Sequence, residues 1–407
     1  MKKGIFYLEK ALLVTFSLFI IFIPYFSKTG KICLVIGGLL WLIINLLKYN
    51  VKFFEHIFSK TVLNKPLLFF GLALIASLAF GLNPYHSYGV LMERYFYYFI
   101  FFLIGSYLVK DRQHLIVLTI FLILSGVILG VGGVWDYSRS PARLFSSFGI
   151  YTAFTPYLAL GIPLLFMIGV FGKNKFLRLG SLMGVIVLFS CLLANFSRAA
   201  WAAILVSLLV VSFMKNKKIT VCIVVIFVVG ALFLSPAVKQ RAIASFDIST
   251  WGGREEMYEG ALEIFKDFPV FGSGLGQSER LLSFYKPELS RHLHAHNAFL
   301  EVLLETGMIG LLTFLWILVM FFKNMFKSIR LCQDKDVGAI QLGLSGGIFA
   351  SLLLALTTTI IIVGFQDAAL FWFLLGMGAG LVGKKDSYYE WNHDYNVKCY
   401  NKSQQEL

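Results

Sequence analysis

The chain of 407 residues is 58% hydrophobic and only 14% charged, with a mean hydropathy of +0.77, far beyond the roughly 45–50% apolar content of soluble domains. That composition excludes a water-soluble globular enzyme and makes lipid the main solvent. The formal charge of +14 does not call for nucleic acid, because the basic residues follow a topological pattern instead of forming one patch.

A hydrocarbon core about 30 Å thick takes roughly 20 apolar residues per helix. Runs of that order, bounded by charge, Pro or Gly, lie at 11–26, 32–47, 66–82, 95–109, 114–135, 150–171, 176–194, 199–214, 219–238, 298–322, 338–361 and 366–383. They predict an all-α polytopic membrane protein of about twelve transmembrane helices. The first run follows Lys2, Lys3 and Lys10 and leads into Ile23-Pro24-Tyr25-Phe26, with no small-residue cleavage site. It reads as a retained helix, not a signal peptide.

Alternate connections carry most of the 36 Lys and Arg residues, among them Lys2, Lys3, Lys48, Lys110, Lys173, Lys215, Lys323 and Lys384. Positive residues collect on the cytoplasmic side, so both termini are expected in the cytoplasm. The organisation that follows is nine helices over 1–238, one long outer, periplasmic loop over 239–297, three helices over 298–383 and a cytoplasmic tail over 384–407. Of five cysteines, Cys191 and Cys222 fall in apolar runs, and Cys33, Cys332 and Cys399 lie elsewhere. The long loop holds none, so no disulfide framework or Cys-based metal site is expected there.

Within the loop, Met257, Ala261, Ile264, Phe265 and Phe268 recur at helical spacing, with Glu255, Glu256, Glu259, Glu263 and Lys266 on other faces. This predicts an amphipathic helix over 254–268. It follows Gly252-Gly253, carries two Glu in its first turn and ends ahead of Pro269. The next stretch, Phe268-Pro269-Val270-Phe271-Gly272-Ser273-Gly274-Leu275-Gly276, invites a phosphate-loop reading. Without a preceding strand or a following Gly-Lys-Ser/Thr, a tight turn beside the membrane is the better expectation.

Arg291-His292-Leu293-His294-Ala295-His296-Asn297 stands just before the tenth run, and in an extended segment all three histidines would face one side. They fit solvated loop residues, a zinc site of poor geometry without adjoining Cys or carboxylates, or a general base oriented by Asn297. Asn195-Phe196-Ser197-Arg198-Ala199-Ala200-Trp201 breaks the apolar stretch from about 182 to 213 on the outer side. Arg198 is either a snorkelling interface residue or a guanidinium aimed into a cavity that takes a phosphate or carboxylate. Arg254 and Arg143 are ordinary solvated charges or offer the same donors.

Taken together, Ser197-Arg198-Ala199-Ala200-Trp201, the Arg254-headed helix, the Pro269 to Gly276 turn, His294-Ala295-His296-Asn297-Ala298-Phe299-Leu300-Glu301 and Glu305-Thr306-Gly307-Met308-Ile309-Gly310 resemble the O-antigen ligase and polymerase superfamily of bacterial envelope glycosyltransferases. The motifs span about 195–310, and the helix count and loop position agree with the family. One departure is Tyr258 near where the family often has Trp. The resemblance implies transfer of a glycan from undecaprenyl diphosphate to a sugar hydroxyl of lipid A core on the periplasmic face, without nucleotide or metal and with inversion. It implies that His296, or secondarily His294, is the base. Arg198, Arg254 and Arg143 would bind the pyrophosphate, with Ser197, Asn297 and Glu301 in support. The alternatives are an O-antigen or capsule polymerase using the same donor and a secondary transporter or flippase, whose usual repeats and mid-membrane ionisable groups are not evident here.

Overall fold

The computed structural model describes residues 2–49, 61–139, 151–195, 197–232, 254–287 and 294–382, and their regular structure is helical. In chain order the helices are α1 (Lys2–Phe22), α2 (Ser27–Tyr49), α3 (Asn64–Phe80), α4 (Pro84–Val90), a π-helical turn (Leu91–Tyr95), α5 (Phe96–Leu108), α6 (Arg112–Arg139), α7 (Tyr151–Phe171), α8 (Lys175–Asn195) and α9 (Arg198–Lys215). They continue with α10 (Lys217–Leu232), α11 (Arg254–Asp267), α12 (Ser278–Tyr285), α13 (Ala298–Leu331), α14 (Lys335–Ala355) and α15 (Phe365–Val382). The expected tail, 384–407, lies outside the described residues, as do 239–253 of the expected loop.

A helix stands at each of the twelve apolar runs, and nine of those described are long and apolar enough to cross a membrane. The chain is thus a multi-pass, all-helical membrane protein. The other three runs give shorter helices. α3 has 17 residues, α5 has 13, and α10 has 16 before the described residues stop. α5 is short because α4 and the π turn run directly into it, so the backbone is helical from Pro84 to Leu108. The run 338–361 stops early at Ala355. There Thr357 and Thr358 turn their hydroxyls onto the Leu354 carbonyl, at 3.0 and 3.1 Å, and compete with further helix.

α14 and α15 form the hub and are buried along most of their length. Glycine permits that closeness. A Cβ on Gly347 would sit 2.4 Å from the Leu160 carbonyl oxygen of α7, and one on Gly376 would sit 2.2 Å from that of Phe102 in α5. Small residues drive such helix pairs in lipid, where apolar burial alone offers little between helices. Phe16, Phe19, Phe101 and Phe373 fill the space around the hub, with Phe19 and Phe101 stacked at 4.8 Å and Phe16 and Phe373 at 5.2 Å.

One end of the bundle is tied by a carboxylate cluster. Arg112 bonds Asp334 at 2.7 Å and Asp336 at 2.9 Å, and Asp336 also accepts from the Lys173 and Asn174 amides. Three connections that the charge pattern assigns to one side therefore share one end. The candidate site lies at the other end of α13.

Candidate active site

The amphipathic α11 covers this end as its sequence predicts. Met257, Ala261 and Ile264 are buried, and Ala261 and Ile264 cluster with Leu282 of α12, Ala295 and Leu304. Burying a side chain such as Ile264 fully stabilises by about 1.5–3 kcal/mol, so this small core seats α11 and α12 over the start of α13. The eight-residue α12 is absent from the sequence reading, being too short to show a period.

The glycine-rich segment is a tight turn and not a phosphate cradle. α13 is interrupted at Gly307, whose φ is +65° and ψ −168°, and Pro269 to Gly276 is threaded into the break. The amides of Ser273 and Gly274 donate to Leu304 and Glu305 carbonyls at 2.9 and 3.2 Å, while Met308 donates to Pro269 at 2.9 Å. The interruption leaves helix groups without intrahelical partners, and the loop supplies them. With these amides committed to protein acceptors, they do not point at an anion. Gly272 has φ +74°, and an added Cβ would lie 2.4 Å from the Glu305 carbonyl. Gly272→Ala is therefore expected to destabilise by at least about 1–3 kcal/mol, seen as a lower thermal-unfolding midpoint of the solubilised protein.

Two carboxylates one turn apart on α13, Glu301 and Glu305, are fully buried at this junction. Glu305 accepts from Tyr95 Oη at 3.0 Å and from the Gly276 amide at 2.8 Å, and pairs with Arg94 at 3.5 Å. Arg94 and Tyr95 come from the π turn, a rare geometry that recurs at functional positions. Glu301 accepts from Ser278 Oγ at 2.5 Å and from the Ala295 amide at 3.4 Å, and faces His294 Nδ1 at 3.3 Å. On the opposite ring edge, His294 Nε2 lies 3.7 Å from Glu279. Chiefly through its hydrogen bond to Glu301, and against partial burial, the imidazole is pushed above its usual value of 6.5.

The two described histidines of this segment have different surroundings. His292 lies outside the described residues, His294 is half-buried against α12 and α13, and His296 is exposed with a left-handed φ of +45°. A non-glycine residue rarely adopts that conformation. Asn297 caps α13, its Oδ1 accepting from Phe299 at 2.9 Å and Leu300 at 3.3 Å. The side-chain oxygen of Asn297 thus holds the first turn of α13. Of the two carboxylates facing His294, Glu301 lies nearer, at 3.3 Å.

Ser197 caps α9 at the expected helix break, with its Oγ accepting from Ala200 at 3.4 Å, and Arg198 opens the helix with its side chain half-buried. The break is braced by Asn195, which donates to Thr155 Oγ1 at 2.8 Å, and by Trp201, whose Nε1 donates to the Leu192 carbonyl at 2.8 Å. Arg254 is the first residue of α11, and its side chain lies outside what is described. Arg143 falls outside the described residues altogether. Arg94, Tyr95, Ser278 and Glu279 belong to the site but carry no motif that singles them out in the sequence. The one available signal was a Glu93-Arg94 pair interrupting an aromatic run.

Beside Asn297 an apolar cleft of ≈ 350 Å³ opens between α9, α13 and α14. Phe299 and Leu356 line it at the site end, and Phe322, Phe349, Val210 and Met214 continue it along the helices. Residues 183–315 match the family described as O-antigen ligase, a window holding all the candidate residues above except Arg143, Arg94 and Tyr95. Over this segment the chain is similar to the O-antigen ligase family. A stretch of 96 residues is also 31% identical to the exopolysaccharide production protein ExoQ of Rhizobium meliloti (strain 1021). That match spans 22% of this chain and 22% of the length of that relative. In this O-antigen ligase-type segment, α8 and α9 supply the helix break, α11 and α12 the cover, and the first half of α13 the carboxylates.

Proposed function

We propose that this protein is a membrane glycosyltransferase that moves a glycan from undecaprenyl diphosphate to a sugar hydroxyl, with lipid A core as acceptor, at the periplasmic face of the bacterial inner membrane. The observation that carries the reading is the adjacency of polar and apolar features: an exposed histidine held in a left-handed turn lies within a few residues of an open apolar cleft. A substrate that is part sugar diphosphate and part polyprenyl chain suits both at once. The prenyl chain would lie along Phe299, Phe322 and Phe349, leaving the diphosphate at the bundle end.

In this scheme His296 accepts the proton of the attacking hydroxyl as the oxygen bonds to the anomeric carbon. The bond to the carrier diphosphate breaks in the same displacement, with inversion. Arg198 and Arg254 grip the diphosphate and stabilise the charge it gains, a task suited to permanently charged, forked donors. Arg143 is held as a third donor of the same kind. Ser197 sets the direction of Arg198 by capping α9, Asn297 fixes the peptide after His296, and Glu301 anchors His294.

A second reading is supported by the similarity to an exopolysaccharide production protein: the acceptor is another lipid-linked glycan and the enzyme is a polymerase. Incubating purified protein with lipid-linked glycan, with and without lipid A core, separates them. Ligation predicts glycosylated core, and polymerisation predicts longer lipid-linked chains from donor alone. Vectorial movement of the intact donor across proteoliposomes, with neither product formed, would overturn both in favour of a transporter. Arg198→Ala is expected to weaken donor binding about tenfold or more, read as a raised KM for the lipid-linked glycan, since a charge-assisted contact contributes about 1.5–3 kcal/mol.

A further inference from the structure

His294 and His296 are two residues apart yet differently placed. The ring nitrogens of His294 face two carboxylates on different elements, Glu301 Oε1 of α13 at 3.3 Å and Glu279 Oε2 of α12 at 3.7 Å. An ionised carboxylate only accepts hydrogen bonds, so both nitrogens serve best as donors, which requires the imidazolium. Such a ring has no lone pair with which to take a proton from a substrate. The same carboxylate, Glu301, also receives Ser278 Oγ from the first residue of α12. His294, Ser278 and Glu279 thus fasten α12 to α13 around one buried anion.

We propose that His294 is not the base but a positioning residue, an imidazolium clamp that closes α12 over the start of α13 and holds the His296 turn in place. As regards activity this rests on the transfer reading above, but the clamp itself does not. The groups facing the ring are Glu279 from α12, Glu301 from α13 and, from the π turn, Arg94, whose charge works against protonation. The side chain of the neighbouring Ala295 packs in the apolar cluster of Ala261, Ile264, Leu282 and Leu304.

The pH dependence follows from the raised affinity of His294 for its proton. The clamp is fully present below the ordinary value of 6.5 and is lost as pH rises through the raised folded-state value. Hydrogen exchange of the full-length protein in nanodiscs, corrected for intrinsic rates and followed from about pH 6 to about pH 9, reads this without any substrate. Wild-type amides over 278–285 should lose protection about tenfold or more across the titration. His294→Arg, a permanent cation, should retain protection at the alkaline end, and Glu279→Gln, at a partly exposed position, should shift the loss to lower pH. Protection that does not vary with pH in wild type, or an equally early loss in His294→Arg, would overturn the clamp. In the transfer assay, His294→Arg should remain active with its alkaline limb displaced upward. A folded His294→Arg inactive at every pH would make His294 the base and overturn the assignment. Absence of transfer by wild-type protein, with the exchange pattern as expected, would count against the transfer reading and leave the clamp standing.

Discussion

Replacing His296 with Ala is expected to lower glycan transfer by about 10²–10⁴-fold, the usual contribution of a well-placed general base. Binding of the lipid-linked donor should persist, because the cleft and the arginines are untouched. The left-handed backbone at this position needs its own control, since φ is +45° and alanine there is strained. Asn is among the few residues that adopt this region readily. His296→Asn should therefore keep the turn and still be inactive, with kcat reduced and the donor KM little changed. If His296→Asn retained wild-type kcat, the proton would have to go elsewhere.

The second large effect is on folding. Arg94 is the cation beside Glu305, which is fully buried and also holds Tyr95 and the Gly276 amide. Removing one partner of a buried pair leaves an uncompensated charge, at a cost of about 3–5 kcal/mol. Arg94→Met should sharply reduce the yield of folded protein and its thermal-unfolding midpoint. The double variant Arg94→Met with Glu305→Gln should recover much of the loss, because an amide is cheaper to bury than a lone carboxylate, its oxygen can still accept from Gly276 and its NH2 can donate to Tyr95 Oη. Such a rescue is the signature of coupled neighbours. Equal instability of the single and double variants would show that Arg94 acts through packing alone.

Much of this architecture is legible in the residues because lipid imposes a simple rule. Backbone groups must be satisfied within each segment, so long apolar runs become helices, and among the described residues nine are long enough to span. The amphipathic period of Met257, Ala261 and Ile264 and the Ser197 cap are local signals and emerge as expected. What fails to show is what depends on distant partners. The Gly307 break makes sense only once Pro269 to Gly276 is seen filling it. Arg94 and Glu305 lie 211 positions apart, and nothing in the period of an aromatic helix announces a π turn. The histidine segment looks extended when read alone, but the αL turn at His296 and the pull of Glu301 on His294 send the two rings to different surroundings.

The central claim is group transfer from a lipid diphosphate at the end of the bundle that holds His296. The most direct test is to follow, in one reaction of purified protein with lipid-linked glycan and acceptor, both the carrier diphosphate released and the glycan gained by the acceptor. Equal amounts of the two, abolished together by His296→Asn, are the expected result. Carrier release without a glycosylated acceptor, or full transfer by His296→Asn, would contradict it.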